Sequence, residues 1–429
     1  MKIYFLSMGC AKNTADSEHL TAQLEQLGHT ITDSPEGADT AIINTCGFIQ
    51  DAVKENIDAI LDLEKLKQDG AVKRIIVAGC LVNRYEKELR AELSGTVDLF
   101  VRSEEWEKVI SFLGGTYDTN CPDSVHALDH KFWTRYLKIA EGCSTLCSYC
   151  AIPMIRGRLR SVPLKRLVSE AHMLCAAGAK ELCLVGQDLT VYGQDIGSSL
   201  QELICALDSE LPKGIWLRLL YLHPNRVNES LIDFLLTKSH VLHYLDIPIQ
   251  HADPVILERM NRPSPEGHML RMFRYIREAD PLFALRTTIM TGFPGETNSA
   301  FERVLDFVSE VQFDRLGAFV YSPEEGTKAA KFSGRVSRKT ADARCARLMS
   351  LQAEIANERS ELFAGRELDV LVEEVDTDAK EAWTRSFRDA PEVDGLVCVS
   401  YADQPRAGDI LRAKIYDCNE NDLFGEVIL

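Results

Sequence analysis

Short apolar runs alternate with amphipathic stretches along roughly the first 113 residues of the chain. The apolar runs have the length of buried strands, and the stretches between them repeat apolar residues every three or four positions, as helices do. This order of elements predicts a doubly wound parallel α/β domain over residues 1–115. The strand-like runs are KIYFLS, TAIINT and RIIVAG, and the helical stretches are ADSEHLTAQLEQLG, FIQDAVKENIDAILDLEKL and VNRYEKELRAEL.

Residues 116–131 show no periodicity and are rich in Asp, Asn and Pro, so we interpret them as a linker. Beyond the linker, over residues 132–362, six strand-like runs alternate with helical stretches. Six βα repeats predict an open, partial (βα)6 barrel. The six runs are YLKIA, ELCLVG, IWLRLLYL, HYLDIPI, FALRTTIM and LGAFVYS.

Residues 363–429 consist of short alternating runs, which predict a small antiparallel β-barrel. From residue 365 onward there are sixteen Asp or Glu and seven Lys or Arg, which gives −9 of the total net charge of −17. Phosphate binding needs clustered Lys and Arg, so this charge argues against a general nucleic-acid binder. An acidic surface instead favours a basic partner, although the same carboxylates serve solubility equally well.

The composition is that of a soluble globular protein, with 429 residues, 45% of them hydrophobic and 26% charged, enough for about three domains. The longest apolar stretches are interrupted by Arg218 and Arg286, short of the roughly 18 residues that a membrane span needs. We therefore expect a cytoplasmic protein that does not enter the membrane. Thirteen cysteines, an odd number, in a chain without a recognisable secretory leader disfavour a disulfide framework.

Three cysteines, Cys143, Cys147 and Cys150, lie within eight residues in the run EGCSTLCSYC. Three thiolates can hold a 4Fe-4S cluster and leave one iron without a protein ligand. A small molecule would complete that iron, and S-adenosylmethionine is the candidate that this chemistry favours. A structural zinc site is the alternative, but a closed site needs a fourth ligand and no CxxC or HxxxH partner lies nearby.

Three other cysteines, Cys10, Cys46 and Cys80, each follow a strand-like run directly and precede a helical stretch. The separations of 35 and 33 residues match one βα unit each. Because ligands gather at the carboxyl ends of parallel strands, we expect these cysteines to converge and to hold a second cluster. The alternative is that they are small buried apolar residues, as free cysteines often are.

At these motifs the chain resembles the methylthiotransferases of the radical-SAM superfamily, and the resemblance extends over nearly its whole length. SMGCAKNTADSE, NTCGFI and VAGC look like the ligand segments of the N-terminal cluster, and EGCSTLCSYCAIPMIRGRLRS looks like the radical loop, with Tyr149 directly before the last cysteine. The tail resembles the TRAM domain. The resemblance implies two 4Fe-4S clusters and two molecules of S-adenosylmethionine, one a methyl donor to sulfur and one a radical source.

Within this family one branch modifies an adenosine of tRNA, and the RimO branch modifies the β-carbon of an aspartate in a small-subunit ribosomal protein. The segment Asp389, Ala390, Pro391 and Glu392 resembles the RimO form, and the acidic tail agrees with it. The resemblance therefore implies a basic ribosomal protein as partner, with an electron donor and a sulfur donor, and no dominant RNA binding. The tRNA branch and a non-enzymatic iron-sulfur carrier are the alternatives.

The resemblance also implies contacts to S-adenosylmethionine, which the strand-end rule places at one mouth of the barrel. For each such residue, packing or turn chemistry is the alternative. We expect Arg156, Arg158 and Arg160 to lie on one side of an extended run, facing an acidic substrate group or solvent. The expected cofactor contacts are Tyr149, Gly186 in a tight turn, Gln187, Asp188, Arg218, Gln250, His251, and Gly292, Phe293 and Pro294 on the adenine side.

Overall fold

The protein is described here from a computed structural model, which covers residues 1–117, 128, 131–265 and 267–428. Most of the predicted linker at 116–131, with Cys121, lies outside the described residues. Two parallel sheets and one closed barrel make up the architecture. The predicted fold class, a doubly wound domain, an open βα barrel and a small β-barrel, is confirmed.

The N-terminal sheet has five strands in the order β2-β1-β3-β4-β5, and every neighbouring pair is parallel. Helices α2 and α3 cover one face of this sheet, and α1 and α4 cover the other. The strand order reverses between β1 and β3, the point where parallel sheets bind ligands. The strands are β1 (Lys2–Ser7), β2 (Thr30–Thr32), β3 (Ala38–Thr45), β4 (Val72–Gly79) and β5 (Leu99–Val101), and the helices are α1 (Ala11–Gln26), α2 (Gln50–Gln68), α3 (Cys80–Leu93) and α4 (Trp106–Phe112).

The central sheet has six strands in the order β6-β9-β10-β11-β12-β13, all parallel, which makes it an open barrel with edges at β6 and β13. Its strands are β6 (Thr134–Lys138), β9 (Glu181–Val185), β10 (Trp216–Leu219), β11 (Val241–Asp246), β12 (Ala284–Thr291) and β13 (Arg315–Val320), with a short hairpin of β7 (Ala140–Glu141) and β8 (Arg160–Ser161). The helices are α5 (Ile152–Ile155), α6 (Leu164–Ala176), α7 (Leu200–Glu210), α8 (Glu229–Leu236), α9 (Pro254–Arg259), α10 (His268–Ala279), α11 (Asn298–Val311) and α12 (Arg338–Glu361).

Helix α1 joins the first two domains. One face packs on its own sheet through Leu20 and Leu24. The other face carries carboxylates that pair with strand β6, since Glu18 bonds Arg135 at 2.7 Å and Asp16 bonds Lys138. A helix with polar residues buried on one side has a charged neighbour there, and β6 is that neighbour.

The C-terminal barrel closes in the order β14-β15-β16-β18-β17, with antiparallel pairs except for the parallel pair β16 and β18. Its strands are β14 (Glu367–Asp376), β15 (Glu381–Arg385), β16 (Val397–Ser400), β17 (Ile410–Cys418) and β18 (Leu423–Val427). Ion pairs fix it to the central domain, among them Arg385 to Glu181 at 2.6 Å, Arg315 to Asp389 at 2.7 Å and Arg286 to Asp394 at 3.3 Å. Ala390 reaches into the interior of the open barrel beside Tyr136.

Among the helices within the described ranges, none combines the length and the apolar character that a membrane-spanning helix needs.

Candidate functional site

The first group of cysteines, the N-terminal trio (Cys10, Cys46 and Cys80), lies at three neighbouring strand ends of the first sheet. Cys10 is the N-cap of α1 and follows β1, Cys46 follows β3, and Cys80 is the first residue of α3 after β4. The trio therefore flanks the point where the strand order reverses. The sequence-based expectation that these three loops converge agrees with this geometry.

Close backbone contacts hold the three loops of the N-terminal trio together. A Cβ atom on Gly79, whose φ is +98°, would lie 2.3 Å from Oδ1 of Asn44 and 2.7 Å from the carbonyl oxygen of Thr45. A Cβ atom on Gly47 would lie 2.8 Å from the carbonyl oxygen of Cys80. Only glycine permits these approaches, because it has no side chain and tolerates a positive φ.

Asparagine side chains cross-link the same loops. Asn13 donates from Nδ2 to the carbonyl oxygens of Met8 at 2.7 Å and Thr45 at 3.2 Å. The backbone N–H of Cys46 donates to Oδ1 of Asn56 at 2.9 Å. These buried amides give each loop a defined position, since a buried polar group is costly unless it is bonded.

Arg156 connects the N-terminal trio with the second group of cysteines. Its Nε donates to Sγ of Cys80 at 3.0 Å, and its Nη1 bonds carboxylate oxygens of Asp16 at 3.0 Å and Glu141 at 2.7 Å. Its Nη2 donates to Oδ1 of Asn13. Arg156 follows the short helix α5 and is buried, so its expected place on an extended run is wrong.

The neighbouring arginines Arg158 and Arg160 are exposed, unlike Arg156. The regular alternation of the three in sequence therefore does not place them on one functional face.

The charges around the N-terminal trio act differently on its three thiols. Burial raises the pKa of Cys46, and it raises the pKa of Cys80 to about 11. Burial would also raise the pKa of Cys10, but Lys12, Arg156 and backbone N–H donors outweigh it, and the pKa is lowered. Cys10 is thus the thiol of this trio that ionises most readily.

The second group, the loop trio (Cys143, Cys147 and Cys150), lies between β7 and α5, beyond the carboxyl end of β6. Ser148 anchors this loop to the barrel: its backbone N–H donates to the carbonyl oxygen of Met260 at 2.9 Å and its hydroxyl to that of Arg259 at 2.7 Å. The carbonyl oxygen of Ser148 accepts from the N–H of Ala329 at 2.8 Å.

The loop trio also has an arginine beside it. Arg262 donates from Nη1 to Sγ of Cys147 at 3.7 Å and from Nη2 to the carbonyl oxygen of Pro248 at 2.8 Å. Backbone N–H groups of Thr145 and Ile152 point at Sγ of Cys143 and Cys150, each at 3.4 Å. Such donors to sulfur tune a bound cluster, so this set of donors fits a 4Fe-4S cluster.

The two trios are adjacent. Ala151, next to Cys150, packs in one buried cluster with Cys80 and Ile155. Within the described ranges, no three His, Cys, Asp or Glu side chains surround a position for a single metal ion. The thiols are therefore not arranged as one compact mononuclear site in this conformation.

Several buried polar atoms at the carboxyl ends of the barrel strands have no hydrogen-bond partner among the described residues. They are Oε1 of Gln187, Oε1 of Gln250, Nε2 of His223 and Nε of Arg262. Buried polar groups are normally bonded, so unpartnered ones at a single mouth indicate a polar ligand there. The donors and acceptors fit a zwitterionic amino-acid group such as that of S-adenosylmethionine.

The segment Gly186, Gln187 and Asp188 lies at this mouth. Nε2 of Gln187 donates to Glu141 at 2.8 Å, and Asp188 pairs with Arg226 at 2.6 Å. The expectation that the turn requires glycine at Gly186 is wrong, because its φ is outside the left-handed region and an added Cβ would meet nothing closer than 3.4 Å.

Arg218 does not lie where the sequence suggested. It is the third residue of β10, fully buried, and its Nε bonds Glu181 at the start of β9 at 2.6 Å. Its two Nη atoms donate to the carbonyl oxygens of Phe387 at 2.7 Å and Ser386 at 3.3 Å. The guanidinium therefore points away from the mouth and joins the barrel to the C-terminal domain.

The aromatic residues and His251 belong to the walls of the site. Phe293 is fully buried and packs edge to face on Tyr321 at 5.3 Å between ring centroids, in a cluster that Tyr149 also contacts. Gly292 donates its N–H to Glu296 at 2.8 Å. His251 is buried: its Nδ1 accepts from the N–H of Asp253 at 2.9 Å, and its Nε2 lies 3.6 Å from Glu296 without a hydrogen bond.

The sequence reasoning missed four residues of the site: Lys12, Tyr221, His223 and Arg262. None of the four belongs to a sequence motif whose spacing indicates a function. The φ angles of Tyr221 and Gln250, +66° and +68°, mark strained backbone that only the structure displays. Burial with Arg262 and Arg226 nearby lowers the pKa of His223 to about 2, so its ring is neutral at pH 7.

Three family models match consecutive parts of the chain. The model described as uncharacterized protein family UPF0004 matches residues 2–101, the Radical SAM superfamily model matches residues 137–308, and the TRAM domain model matches residues 364–428. Each cysteine trio thus falls within a separate matched segment.

Curated relatives match along the full length. The chain is 42% identical over 441 residues to the ribosomal protein uS12 methylthiotransferase RimO of Desulfosudis oleivorans, covering 99% of this chain and 100% of the relative. It is 40% identical over 445 residues to the protein of the same name from Geobacter sulfurreducens, covering 100% and 98%.

Solved structures with a similar fold are radical S-adenosylmethionine enzymes. The methyltransferase TsrM from Kitasatospora setae aligns with a TM-score of 0.50 at 15% identity over 74% of each chain. The cobalamin-dependent enzyme OxsB aligns with a TM-score of 0.54 at 11% identity over 76% of this chain and 54% of its own. At such low identity these likenesses show the fold alone.

Proposed function

The chain belongs to the RimO family of methylthiotransferases, and on that premise we propose that it attaches a methylthio group to the β-carbon of an aspartate in ribosomal protein uS12, with two molecules of S-adenosylmethionine. Membership makes it a radical-SAM methylthiotransferase, which uses a 4Fe-4S cluster and S-adenosylmethionine. The second cluster, the aspartate and the stoichiometry are parts of the proposal.

The adjacency of the two trios carries the proposal. Arg156 bonds Cys80 of the N-terminal trio and also Glu141, which stands two residues before Cys143 of the loop trio. A sulfur held at the first trio and a radical generated at the second must meet at one substrate carbon. Two trios linked through Arg156 and Glu141 fit this requirement.

The residues of each site have distinct roles in the proposal. When bound, a cluster on the loop trio supplies the electron that splits S-adenosylmethionine into methionine and a carbon radical, and one on the N-terminal trio carries the sulfur. Gln187 and Gln250 would offer their Oε1 atoms, unpartnered among the described residues, to the methionyl ammonium, and Arg262 would offer its free Nε to the carboxylate. Tyr149 packs against the hydrophobic cluster that contains Phe293, which would give the site an apolar wall.

The surface charge of the C-terminal domain supports a basic protein as substrate. Eleven of its sixteen acidic residues are exposed, against five of its seven basic residues. Arg385 and Asp389 are buried and form ion pairs with Glu181 and Arg315 of the central domain. These buried pairs leave the acidic excess on the exposed surface of the C-terminal domain unchanged. A cationic ribosomal protein would be attracted to this surface, and tRNA phosphates would be repelled.

The proposed reaction also needs an electron donor and a sulfur donor, because the side chains of the site supply neither a reductant nor sulfide. We place the reaction in the cytoplasm, where a ribosomal protein substrate is found.

The proposal is tested by anaerobic reconstitution followed by incubation with uS12, tRNA, S-adenosylmethionine, sulfide and a reductant. We expect about eight iron atoms per chain, corresponding to two clusters. Mass spectrometry of uS12 should then show a methylthio group on one aspartate, with one S-adenosylhomocysteine and one deoxyadenosine released per product.

A different result would contradict the proposal. Unmodified uS12 together with a methylthiolated adenosine in tRNA from the same reaction would assign the chain to the tRNA branch. Release of no deoxyadenosine under any condition would exclude radical chemistry.

A further inference from the structure

Lys12 places an ammonium group beside the N-terminal trio, at the carboxyl ends of strands β9 and β10 of the central sheet. It lies in the first turn of α1, two residues after Cys10, and is half-buried. Its Nζ lies 3.5 Å from the carbonyl oxygen of Gly186, in the loop that follows β9 of the other sheet. The same atom lies 4.2 Å from the ring centroid of Tyr221.

Among the described residues, Lys12 has no carboxylate partner within 4 Å, unlike three neighbouring cations of the site. Arg156 pairs with Asp16 and Glu141, Lys138 with Asp16 and Glu141, and Arg226 with Asp188. In the part of the chain that the structure describes, no carboxylate oxygen lies within 4 Å of Nζ of Lys12. An ammonium has three donors, and one long hydrogen bond leaves the others for a ligand.

The backbone of α1 does not itself stabilise the charge of Lys12. The N-terminus of a helix carries positive charge, so a cation there is on the wrong end of the dipole. The first turn of α1 has no acidic residue to compensate.

Tyr221 is held in a strained conformation that places its ring against Lys12. Its φ is +66°, its N–H donates to Oδ2 of Asp246 at 3.3 Å, and its carbonyl oxygen accepts from the N–H of Leu189 at 3.1 Å. Strain of this kind persists where the surroundings enforce it and clusters at functional sites. A cation over an aromatic face keeps its charge without a counter-ion.

We propose that the ammonium of Lys12 binds the carboxylate of the substrate side chain and so selects an acidic residue for modification. This inference rests on the proposed function, because it names the group that recognises the aspartate. The β-carbon of an aspartate is bonded directly to its carboxyl carbon. A carboxylate fixed at Lys12 would therefore hold that carbon next to the N-terminal trio, at the mouth of the barrel where Gly186 and Tyr221 lie.

The inference is tested with Lys12→Met and Lys12→Arg in the reconstituted enzyme. The matched control is Lys87→Met, the same change at an exposed lysine of α3 in the same domain. Loss of one charge-assisted hydrogen bond should raise the KM for uS12, and the Kd measured by direct titration, about 10- to 100-fold in Lys12→Met. Lys12→Arg should recover part of the affinity, and Lys87→Met should match the unchanged enzyme.

The second measurement uses uS12 in which the modified aspartate is replaced by asparagine. The unchanged enzyme should bind this protein about 10- to 100-fold more weakly than native uS12, and Lys12→Met should bind both equally. If Lys12 had only a structural role, Lys12→Met would weaken binding of both proteins and would keep the preference for aspartate over asparagine.

Two outcomes would overturn the inference. One is an unchanged KM, Kd and preference in Lys12→Met. The other is loss of iron from Lys12→Met, which would mean that Lys12 balances the charge of a cluster. Either result leaves the proposed function standing if the unchanged enzyme modifies uS12, whereas failure of the unchanged enzyme would contradict the proposed function itself.

Discussion

The N-terminal trio takes its cysteines from three strand ends separated by 35 and 33 residues, whereas the loop trio takes its own from one run of eight residues. Packing of a whole domain therefore positions the first trio, through contacts such as that of Gly79 with Thr45. Local hydrogen bonds of Ser148 position the second. The N-terminal trio should lose its ability to bind a cluster when its sheet is disturbed. The loop trio should lose this ability only when its own loop is disturbed.

The arginines beside the two trios differ as well. Arg156 contacts Sγ of Cys80 at 3.0 Å and is neutralised by Asp16 and Glu141. Arg262 contacts Sγ of Cys147 at 3.7 Å, and its Nε has no partner among the described residues. The first guanidinium is fully engaged within the protein, and the second keeps a donor for a ligand. This is the difference expected between a site that carries sulfur and a site that binds S-adenosylmethionine.

Cysteine substitutions should show the largest difference between the functions of the two trios. Cys143→Ala should lower release of deoxyadenosine on the order of 10³-fold or more, because the electron for cleavage enters at that trio. Cys46→Ala should abolish methylthio transfer while deoxyadenosine is still released. Each variant should retain about four of about eight iron atoms, measured by iron analysis.

Cys205→Ala is the control, since Cys205 is exposed and belongs to neither trio. If both trio variants lost all iron, or neither lost any, the assignment of two independent sites would be wrong.

A glycine substitution should disturb the N-terminal trio alone. Gly79→Ala should lower the free energy of unfolding of the first domain by about 3 kcal/mol, because the new Cβ meets Asn44 and Thr45 and the backbone has φ of +98°. The N-terminal trio should lose its iron, and the loop trio should keep its own. Urea unfolding and iron analysis measure the two effects.

Gly70→Ala is the matched control for this change. Gly70 has φ of +77° in the same domain, but nothing lies within 4 Å of its Cβ position. It should cost about 1 kcal/mol for backbone strain and leave iron binding unaltered. Equal effects of the two substitutions would show that close packing does not hold the trio.

Acid should weaken the barrel at a point remote from both trios. Glu181 is fully buried, and although burial opposes it, Arg385 and Arg218 lower its pKa to about 2. A carboxylate with a depressed pKa stabilises the fold above its unfolded pKa, and this stability is lost as the pH falls towards 2. Glu181 should account for about 2 kcal/mol of stability lost between pH 7 and pH 3.

Glu181→Gln should be less stable at pH 7 and should lack this part of the acid dependence, as followed by urea unfolding with tryptophan fluorescence. Iron at the N-terminal trio should be unaffected, because that domain has its own core. An unchanged slope of stability against pH would contradict the ionised state of Glu181.

The sequence predicted the features that depend on local spacing or on strand order. The loop trio follows from eight residues, and the N-terminal trio follows from strand-end positions in a parallel sheet. The strands β2 and β5, of three residues each, were too short to be recognised from pattern. The pairing of β16 with β18 in parallel depends on closure of the barrel, which no local pattern records.

The residues that the sequence missed or misplaced depend on side-chain direction in the folded chain. Arg218 stands near the end of a strand in sequence, yet its side chain runs back toward Glu181. Arg156 looks like its exposed neighbours Arg158 and Arg160 until tertiary contacts separate them. The contact of Lys12 with the loop after β9 exists only in the folded protein, where the central domain packs beside α1.

The contacts of Arg218 with Ser386 and Phe387 have a consequence for biosynthesis. The two carbonyl acceptors lie about 168 residues later in the chain than the arginine that they satisfy. During translation the barrel strands are therefore complete well before the last domain can dock on them. A nascent or shortened chain that ends before Ser386 lacks two of the acceptors that this guanidinium has in the full chain, so the barrel gains its last hydrogen bonds only when synthesis is nearly finished.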